Sequence, residues 1–464
     1  MKRDIEYICE PSSVAIIGAS PTPGKWGHAV LRGIIEGGYQ GRVYPINPRV
    51  NEMLGLRSYA SVLDVDSQIE LAIIGIGANL VPKAVEDCRK KGVKAVIIIT
   101  AGFAELGTEG KKRQEEIVKI AGGMRLVGPN VLGIANLSHN FTATYLRPLK
   151  GTFALICQGG NVTAEVENIA HSRGLGFTQI LNVGNQTDVG ICDFLDYAQG
   201  DPSTKAILMY IEGFRKGEGR RFIQLARQIT KNKPITAIKV GVTDVGARAA
   251  SSHTGSLVGD DAVCDAAFKQ GGVIRARNSL ELVEFADALV KLPLMKGNKF
   301  GILVDGGSHS VMACDAAAKY GLELAPLTEN TKNALKETLF AHSSVGNPVD
   351  FAGAMDADVK VLTRAAALML QDENVDGLII AGLNYGGYSK WWGSREEVAP
   401  EFADLPSKYG KPVVVHNVFA VETPPAVQKM RDGGIPVFTD VERAARCMSV
   451  LANYGMYLDK TSPG

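Results

Sequence analysis

At 464 residues the chain is too long for one hydrophobic core, and about two to four domains are expected. Its composition, 45% hydrophobic and 21% charged, is that of an ordinary globular protein, and a formal net charge of +1 leaves no basic field for nucleic acid and no polybasic patch for a membrane. The seven cysteines show no C-x-x-C and no metal-ligand spacing, Met1 to Glu6 lacks the apolar core of a signal peptide, and apolar runs fall far short of the ~20 residues of a membrane span, so a soluble, cytoplasmic chain with reduced thiols and no metal centre is expected.

The first element is Val14-Ala15-Ile16-Ile17-Gly18, a β-branched run broken by glycine. Turn residues Pro21, Pro23 and Gly24 follow, then a helical pattern from about Gly27 to Glu36. Further buried-strand candidates lie at 43–46, 71–76, 95–100 and 125–127, separated by helix-length stretches such as 82–91 and 110–121. Continuous apolar strands alternating with helices predict a parallel sheet covered on both faces. The same opening recurs twice. Phe153 to Cys157 leads into Gln158-Gly159-Gly160-Asn161 and a helical pattern to about Ser172, and Phe300 to Val304 leads into Asp305-Gly306-Gly307-Ser308-His309 and a helical pattern to about Tyr320. Three such openings predict three tandem α/β domains. Boundaries fall at the Pro-, Gly- and Lys-bearing stretches 148–151 and 293–298, giving domains 1–147, 148–294 and 295–464. The second is expected to use strands at 178–183, 205–211 and 234–240, the third at 377–381 and 412–416.

The first opening invites an NAD reading that its details oppose. That fingerprint needs G-x-G-x-x-G, with an acid about 20 residues further on for the ribose hydroxyls. Here Ser20 and Pro23 stand at the second and third glycine positions, and the second strand ends Ile46-Asn47-Pro48-Arg49 without an acid. Lys25 and Arg49 either offer cations to a ligand with extra phosphates, such as coenzyme A, or are ordinary solvated charges. At the second opening, Gln158 to Asn161 sits where N–H groups and a helix dipole converge on an anion, unless the glycine pair is only a tight turn. The run Leu208-Met209-Tyr210-Ile211 ends in Glu212, on the edge where α/β sheets bind ligands. Ser251-Ser252-His253-Thr254-Gly255-Ser256-Leu257-Val258-Gly259-Asp260 then sets one histidine among hydroxyls and unhindered N–H groups, which suits a phosphoryl group. A helical pattern follows to about Gln270. If Glu212 holds one ring nitrogen of His253, it fixes the tautomer and frees the other nitrogen as a nucleophile toward phosphorus. The bland alternatives are a surface turn with an incidental histidine, and a Glu212 that caps a helix.

Taken in order, the Gly-Ala-Ser turn, Gln-Gly-Gly-Asn, Tyr-Ile-Glu-Gly and Ser-His-Thr-Gly-Ser-Leu-Val-Gly-Asp-Asp resemble the nucleoside-diphosphate-forming acyl-CoA synthetases, the succinyl-CoA synthetase superfamily. The resemblance runs nearly end to end and is strongest to the alpha-subunit type of ADP-forming acetyl-CoA synthetase. It implies a Rossmann-like CoA-binding domain followed by two flavodoxin-like, succinyl-CoA synthetase-type parallel-sheet domains. His253 is then the residue phosphorylated in turnover and Glu212 the carboxylate that steadies it. Gln158, Gly159, Gly160 and Asn161 match the phosphate-cradling loop, with Ser252, Thr254 and Gly255 beside the histidine. CoA is expected along Gly18, Ala19, Ser20, Lys25, Asn47, Pro48, Arg49, Ile76, Ile99 and Thr100. The implied chemistry joins acyl-CoA, ADP and inorganic phosphate to carboxylic acid, CoA and ATP, with Mg carried beside the nucleotide. No ATP-grasp region is legible, so the nucleotide is expected on an ATP-grasp beta subunit, as α2β2. The chain departs from the family where Cys157-Gln158-Gly159-Gly160 replaces Ser-Gln-Ser-Gly, where Gly77 replaces a proline, and where Gly306-Gly307-Ser308-His309 replaces a Gly-Gly-Pro-Gly turn. Backbone N–H groups still serve a phosphoryl group there. The acyl group stays open, and a catalytically silent CoA- or nucleotide-binding regulator of the same fold is the competing expectation. His309, His342 and His416 are taken as structural.

Overall fold

The computed structural model describes residues 2–248, 260–352, 360–384 and 399–461. They form two compact units, Met1–Val283 and Glu284–Gly464. The first unit holds two large sheets and the second holds one. This is α/β architecture with mostly parallel strands, in three tandem domains.

The first sheet contains β1 (Ser13–Ile17), β2 (Arg42–Ile46), β3 (Leu71–Ile74), β4 (Ala95–Ile98) and β5 (Arg125–Val127), in the order β2-β1-β3-β4-β5 and all parallel. Every residue of β1, β3 and β4 is buried, as continuous apolar runs between two helix layers require. Ile17 pairs with both Ile46 and Ile74, so Gly18 and Gly75 emerge side by side at the carboxyl edge. Gly18 has φ +92°, and a Cβ there would lie 2.4 Å from the Gly75 carbonyl oxygen. A Cβ on Gly27 would lie 2.0 Å from the Gly18 oxygen. Only glycines let helix α1 (Trp26–Glu36) start directly against the β1 turn.

The second sheet comprises β6 (Gly133–Asn136), β7 (Phe141–Thr144), β8 (Lys150–Cys157), β9 (Phe177–Asn182), β10 (Ala206–Ile211), β11 (Ile235–Lys239) and β12 (Ile274–Arg275), ordered β12-β11-β10-β8-β9-β6-β7. From β12 to β9 it is parallel. The antiparallel hairpin β6–β7 adds to β9 and departs from the all-parallel expectation. Its strands are four residues each and carry Asn136, Thr142 and Thr144, so no apolar run announces them. They are buried through tertiary partners: Asn136 donates to the Cys9 carbonyl at 3.1 Å and to the Tyr197 hydroxyl at 2.9 Å. A Cβ on Gly33 would lie 2.7 Å from the Thr144 oxygen, so α1 lies directly on this hairpin. One apolar cluster runs from Ile8 and Val14 through Phe141 to Phe268, which makes the two sheets of this unit a single packed body.

In the second unit, β13 (Lys299–Val304), β14 (Glu323–Leu324), β15 (Val349–Asp350), β16 (Gly377–Leu383), β17 (Val413–Asn417) and β18 (Val437–Phe438) form a parallel sheet ordered β14-β13-β16-β17-β18, with β15 against the end of β13. The 21-residue helix Val441–Thr461 and the helix Gly307–Lys319 cover it. Among the described residues no helix is long and apolar enough to cross a membrane.

Candidate functional site

The carboxyl edges of the first two sheets enclose a cavity of about 900 Å³. Ile76, Ile99 and Thr100 supply one wall, beyond β3 and β4. Gln158, Gly159, Gly160, Asn161, Tyr210 and Glu212 supply the other, beyond β8 and β10. Register explains the meeting: Cys157 pairs with Tyr210, and Ile211 with Lys239, so the residues after β8, β10 and β11 leave the sheet at one level.

Gln158 is 6% exposed, and its carboxamide oxygen accepts the backbone N–H groups of Glu212 at 2.5 Å and Gly213 at 3.0 Å. Its oxygen therefore braces the strand end that carries Glu212. Gly159 caps helix α2 (Gly160–Ser172), accepting from the Thr163 amide at 3.0 Å and the Thr163 hydroxyl at 2.8 Å. The first turn of α2 has no acidic residue, and its N–H groups and dipole are left for an anion. A Cβ on Gly159 would meet the Tyr210 ring at 3.2 Å and a Glu212 carboxylate oxygen at 3.6 Å. Glycine at this position is what brings the acid close to the loop. Glu212 itself is 7% exposed. Burial and Glu212 push the Tyr210 phenol up to about 12, so it stays protonated. Burial likewise raises the Cys157 thiol to about 12, so the buried end of β8 behind the loop stays neutral.

On the opposite wall, the Thr100 hydroxyl donates to the Ile76 carbonyl at 2.7 Å, and the Asn130 N–H donates to the Thr100 carbonyl at 3.0 Å. Glu105 stitches the two sheets. One of its oxygens accepts from Gly102 and Phe103 N–H groups, and the other accepts the Asn185 amide at 2.8 Å. Burial raises the Glu105 carboxyl, but these donors outweigh it and hold it below the ordinary carboxylate value. Within the second sheet, Asn182 accepts the Leu132 N–H at 3.1 Å and donates to the Thr163 hydroxyl at 3.0 Å, tying the approach to β6 to helix α2.

The structure thus brings Ile76, Ile99 and Thr100 together with Gln158–Asn161 and Glu212. Gly18, Ala19, Ser20, Lys25, Asn47, Pro48 and Arg49 do not line this cavity. Asn47 braces the first turn by donating to the Ala19 carbonyl at 2.8 Å while accepting the Arg49 N–H at 2.9 Å. The Ser20 hydroxyl is taken up by the Thr22 N–H. Lys25, Pro48 and Arg49 are exposed. His253, Ser252, Thr254 and Gly255 lie outside the described residues. The approach to that stretch, Gly241 and Gly246, lines the cavity, and Asp260 on its far side caps the helix Asp261–Gly271 by accepting from Ala262 and Val263.

Sequence reasoning missed Trp26, Asn130 and Tyr145, which line the cavity, and Lys239, one residue before the lining Val240. Lys239 closes the apolar strand β11 and is 5% exposed. Burial lowers its ammonium, while Cys264, Asp261 and Glu212 pull it back up, and its amine donates to the Val240 carbonyl. A lysine ending a buried strand was the signal available. In the second unit, the His309 and His416 rings lie 5.1 Å apart, and His342 meets the Ala352 carbonyl at 3.4 Å.

Residues 12–136 match the model of a CoA binding domain, and residues 150–289 that of a succinyl-CoA ligase like flavodoxin domain. The chain is 38% identical, over 97% of its length, to acetate–CoA ligase [ADP-forming] I of Archaeoglobus fulgidus, and spans 64% of that longer protein. It is 36% identical to the alpha subunit of acetate–CoA ligase [ADP-forming] I of Pyrococcus furiosus, covering 98% of this chain and 99% of that one. Among solved structures, acetyl-coenzyme A synthetase 1 of Candidatus Korarchaeum cryptofilum, in complex with phosphate and ADP, superposes with a TM-score of 0.87 at 32% identity over 99% of both chains. The chain belongs to the family of ADP-forming acetate–CoA ligases.

Proposed function

We propose that this chain is the CoA- and phosphohistidine-bearing part of an ADP-forming acyl-CoA synthetase, interconverting acyl-CoA, ADP and phosphate with carboxylic acid, CoA and ATP. The observation that carries this reading is the single cavity shared by the carboxyl edge of the CoA-binding sheet and the Gln158–Asn161 loop beside Glu212. A thioester and an anion can meet there without either leaving its own sheet. A phosphate oxygen attacks the thioester carbonyl, the C–S bond breaks and CoA leaves as its thiolate, giving acyl phosphate. His253 then attacks phosphorus, the P–O bond to the acyl group breaks, and the acid leaves as carboxylate. The phosphoryl group passes from His253 to ADP. In this reading Glu212 orients the imidazole, and the α2 N-terminus with Asn161 stabilises charge on the phosphoryl oxygens.

The domains are assigned as 1–147 for CoA, 148–294 for the phosphohistidine and 295–464 for the third unit. ADP is assigned to an ATP-grasp beta subunit in an α2β2 assembly. The alpha-subunit name of the Pyrococcus relative supports this, as does the greater length of the Archaeoglobus one. Among the described residues no group of three or more His, Cys, Asp or Glu is placed to hold a metal, and Mg is assigned with the nucleotide to the partner subunit. Seven free cysteines, of which all but Cys314 are buried, support a reducing cytoplasm. The test is thioester synthesis by this chain with an ATP-grasp subunit from the same source, given CoA, Mg-ATP and a panel of acids. Thioester and ADP forming in equal amounts, and abolished by His253→Ala, supports the reading. A complex that binds CoA yet leaves every acid and ATP untouched would contradict it.

A further inference from the structure

Lys239 is a buried cation that the proposed chemistry does not use. It ends β11 at 5% exposure, and lysine is seldom buried without a carboxylate partner. Among the described residues its amine has no ion-pair partner, and it donates only to the carbonyl of the next residue, Val240. The acids on the helix Asp261–Gly271 are already taken. Asp261 meets Arg275 of β12, and Asp265 meets both Arg275 and Lys269. A buried ionisable group that the packing leaves unpaired, at the ligand-binding edge of a sheet, is a candidate for function.

Register sets this charge beside the cavity. Lys239 pairs with Ile211, the residue before Glu212, and the Val240 N–H donates to the Ile211 carbonyl at 3.1 Å. Val240 lines the cavity, as do Gly241 and Gly246. Glu212 is the one charged side chain among the described lining residues. A phosphate dianion at the Gln158–Asn161 loop therefore meets a carboxylate there, with the N–H dipoles of α2 to offset both. Resting on the proposed function, we propose that Lys239 is the positioning cation of this site. Acting across the Val240 carbonyl, it balances the charge of phosphate and Glu212 and so holds the phosphoryl group at the loop. Burial lowers its ammonium and Arg275 adds to the effect, while Cys264, Asp261 and Glu212 oppose them. The net result lies below the ordinary lysine value, so this charge is lost earlier than that of an exposed lysine as pH rises.

ATP formation by the full chain with an ATP-grasp subunit, given acetyl-CoA, Mg-ADP and inorganic phosphate, tests this in wild type, Lys239→Met and Lys239→Arg. Lys239→Met keeps the aliphatic stem and removes an unpaired buried charge, so its Tm is expected at or above that of wild type. Its KM for phosphate should rise about ten-fold, with KM for acetyl-CoA within about two-fold. Between about pH 8 and 10 phosphate is already a dianion and imidazole neutral, and the wild-type KM for phosphate should climb as the amine loses its proton. Lys239→Met should stay flat across that range at its high value, and Lys239→Arg, whose charge persists, flat at the low one. A folded Lys239→Met complex with the wild-type KM for phosphate would overturn the role. So would a lower Tm with both KM values raised alike, the mark of a structural lysine. A wild-type complex that binds CoA but forms no ATP would instead strike the proposed function, and this role with it.

Discussion

Gln158 spends its carboxamide oxygen on two backbone N–H groups of the strand end that bears Glu212. Gln158→Leu leaves both donors buried without an acceptor, a loss of about 1–3 kcal/mol for each. Thermal melting should show a lower Tm together with slower phosphoryl transfer. Gln158→Glu keeps an acceptor and should hold Tm closer to wild type, but its negative charge beside Glu212 should raise KM for phosphate. Equal phosphate KM in wild type and Gln158→Glu would contradict the placement of phosphate at this loop. In the second unit, burial and the neighbouring His309 hold His416 at about 4, against an ordinary value of 6.5, although Asp440 opposes them. Its Nδ1 accepts the Gly382 N–H at 3.1 Å, an arrangement that suits the neutral ring. The unfolded chain takes up this proton as pH falls through 6.5, while the folded chain resists until about 4. The neutral ring's contribution is thus fully present above pH 6.5 and is lost across that window. Urea unfolding at pH 7.5, 5.5 and 4.5 should show a shrinking stability advantage of wild type over His416→Gln. A pH-independent difference would contradict it.

At the scale of elements, the loop after β4 and the loop after β9 are tied by Asn185 and Glu105, and the tie fixes the spacing of the cavity walls. Asn185→Asp sets a second carboxylate against Glu105. Calorimetric CoA affinity should fall at pH 8 and recover toward pH 5 as one carboxyl takes a proton that bridges the pair. Asn185→Ala should weaken CoA binding at both pH values without recovery. An Asn185→Asp chain that binds CoA like wild type at pH 8 would contradict the role of this tie. Neither residue was legible beforehand, because partners 80 positions apart leave no local pattern. The hairpin β6–β7 was illegible for a related reason, since its polar Asn136, Thr142 and Thr144 are buried only through distant partners. By contrast, the buried runs of β1, β8 and β13, each with a glycine within two residues of its end, were legible as three openings. Their β-branched and apolar character is set locally, and the glycine turns that follow admit the close helix approach seen at Gly18 and Gly27.

Across the whole molecule, the first unit is one packed body made of two sheets, so its cavity walls do not need a ligand to bring them together. The meeting of Gln158–Asn161 and Glu212 at one cavity was readable because strand ends in parallel sheets converge, a rule that depends on topology rather than on sequence separation. Trp26 and Tyr145 were not readable, because their pairing depends on how α1 lies against the β6–β7 hairpin. The central claim is that this cavity serves phosphoryl transfer through His253. It is tested most directly by incubating the chain and an ATP-grasp subunit with Mg-ATP, then measuring intact mass before and after mild acid, beside His253→Ala. One added phosphoryl group, lost in acid, stable in base and missing from the variant, is the result this account requires. An unlabelled wild-type chain that still binds CoA, or a label that persists in His253→Ala, would contradict it.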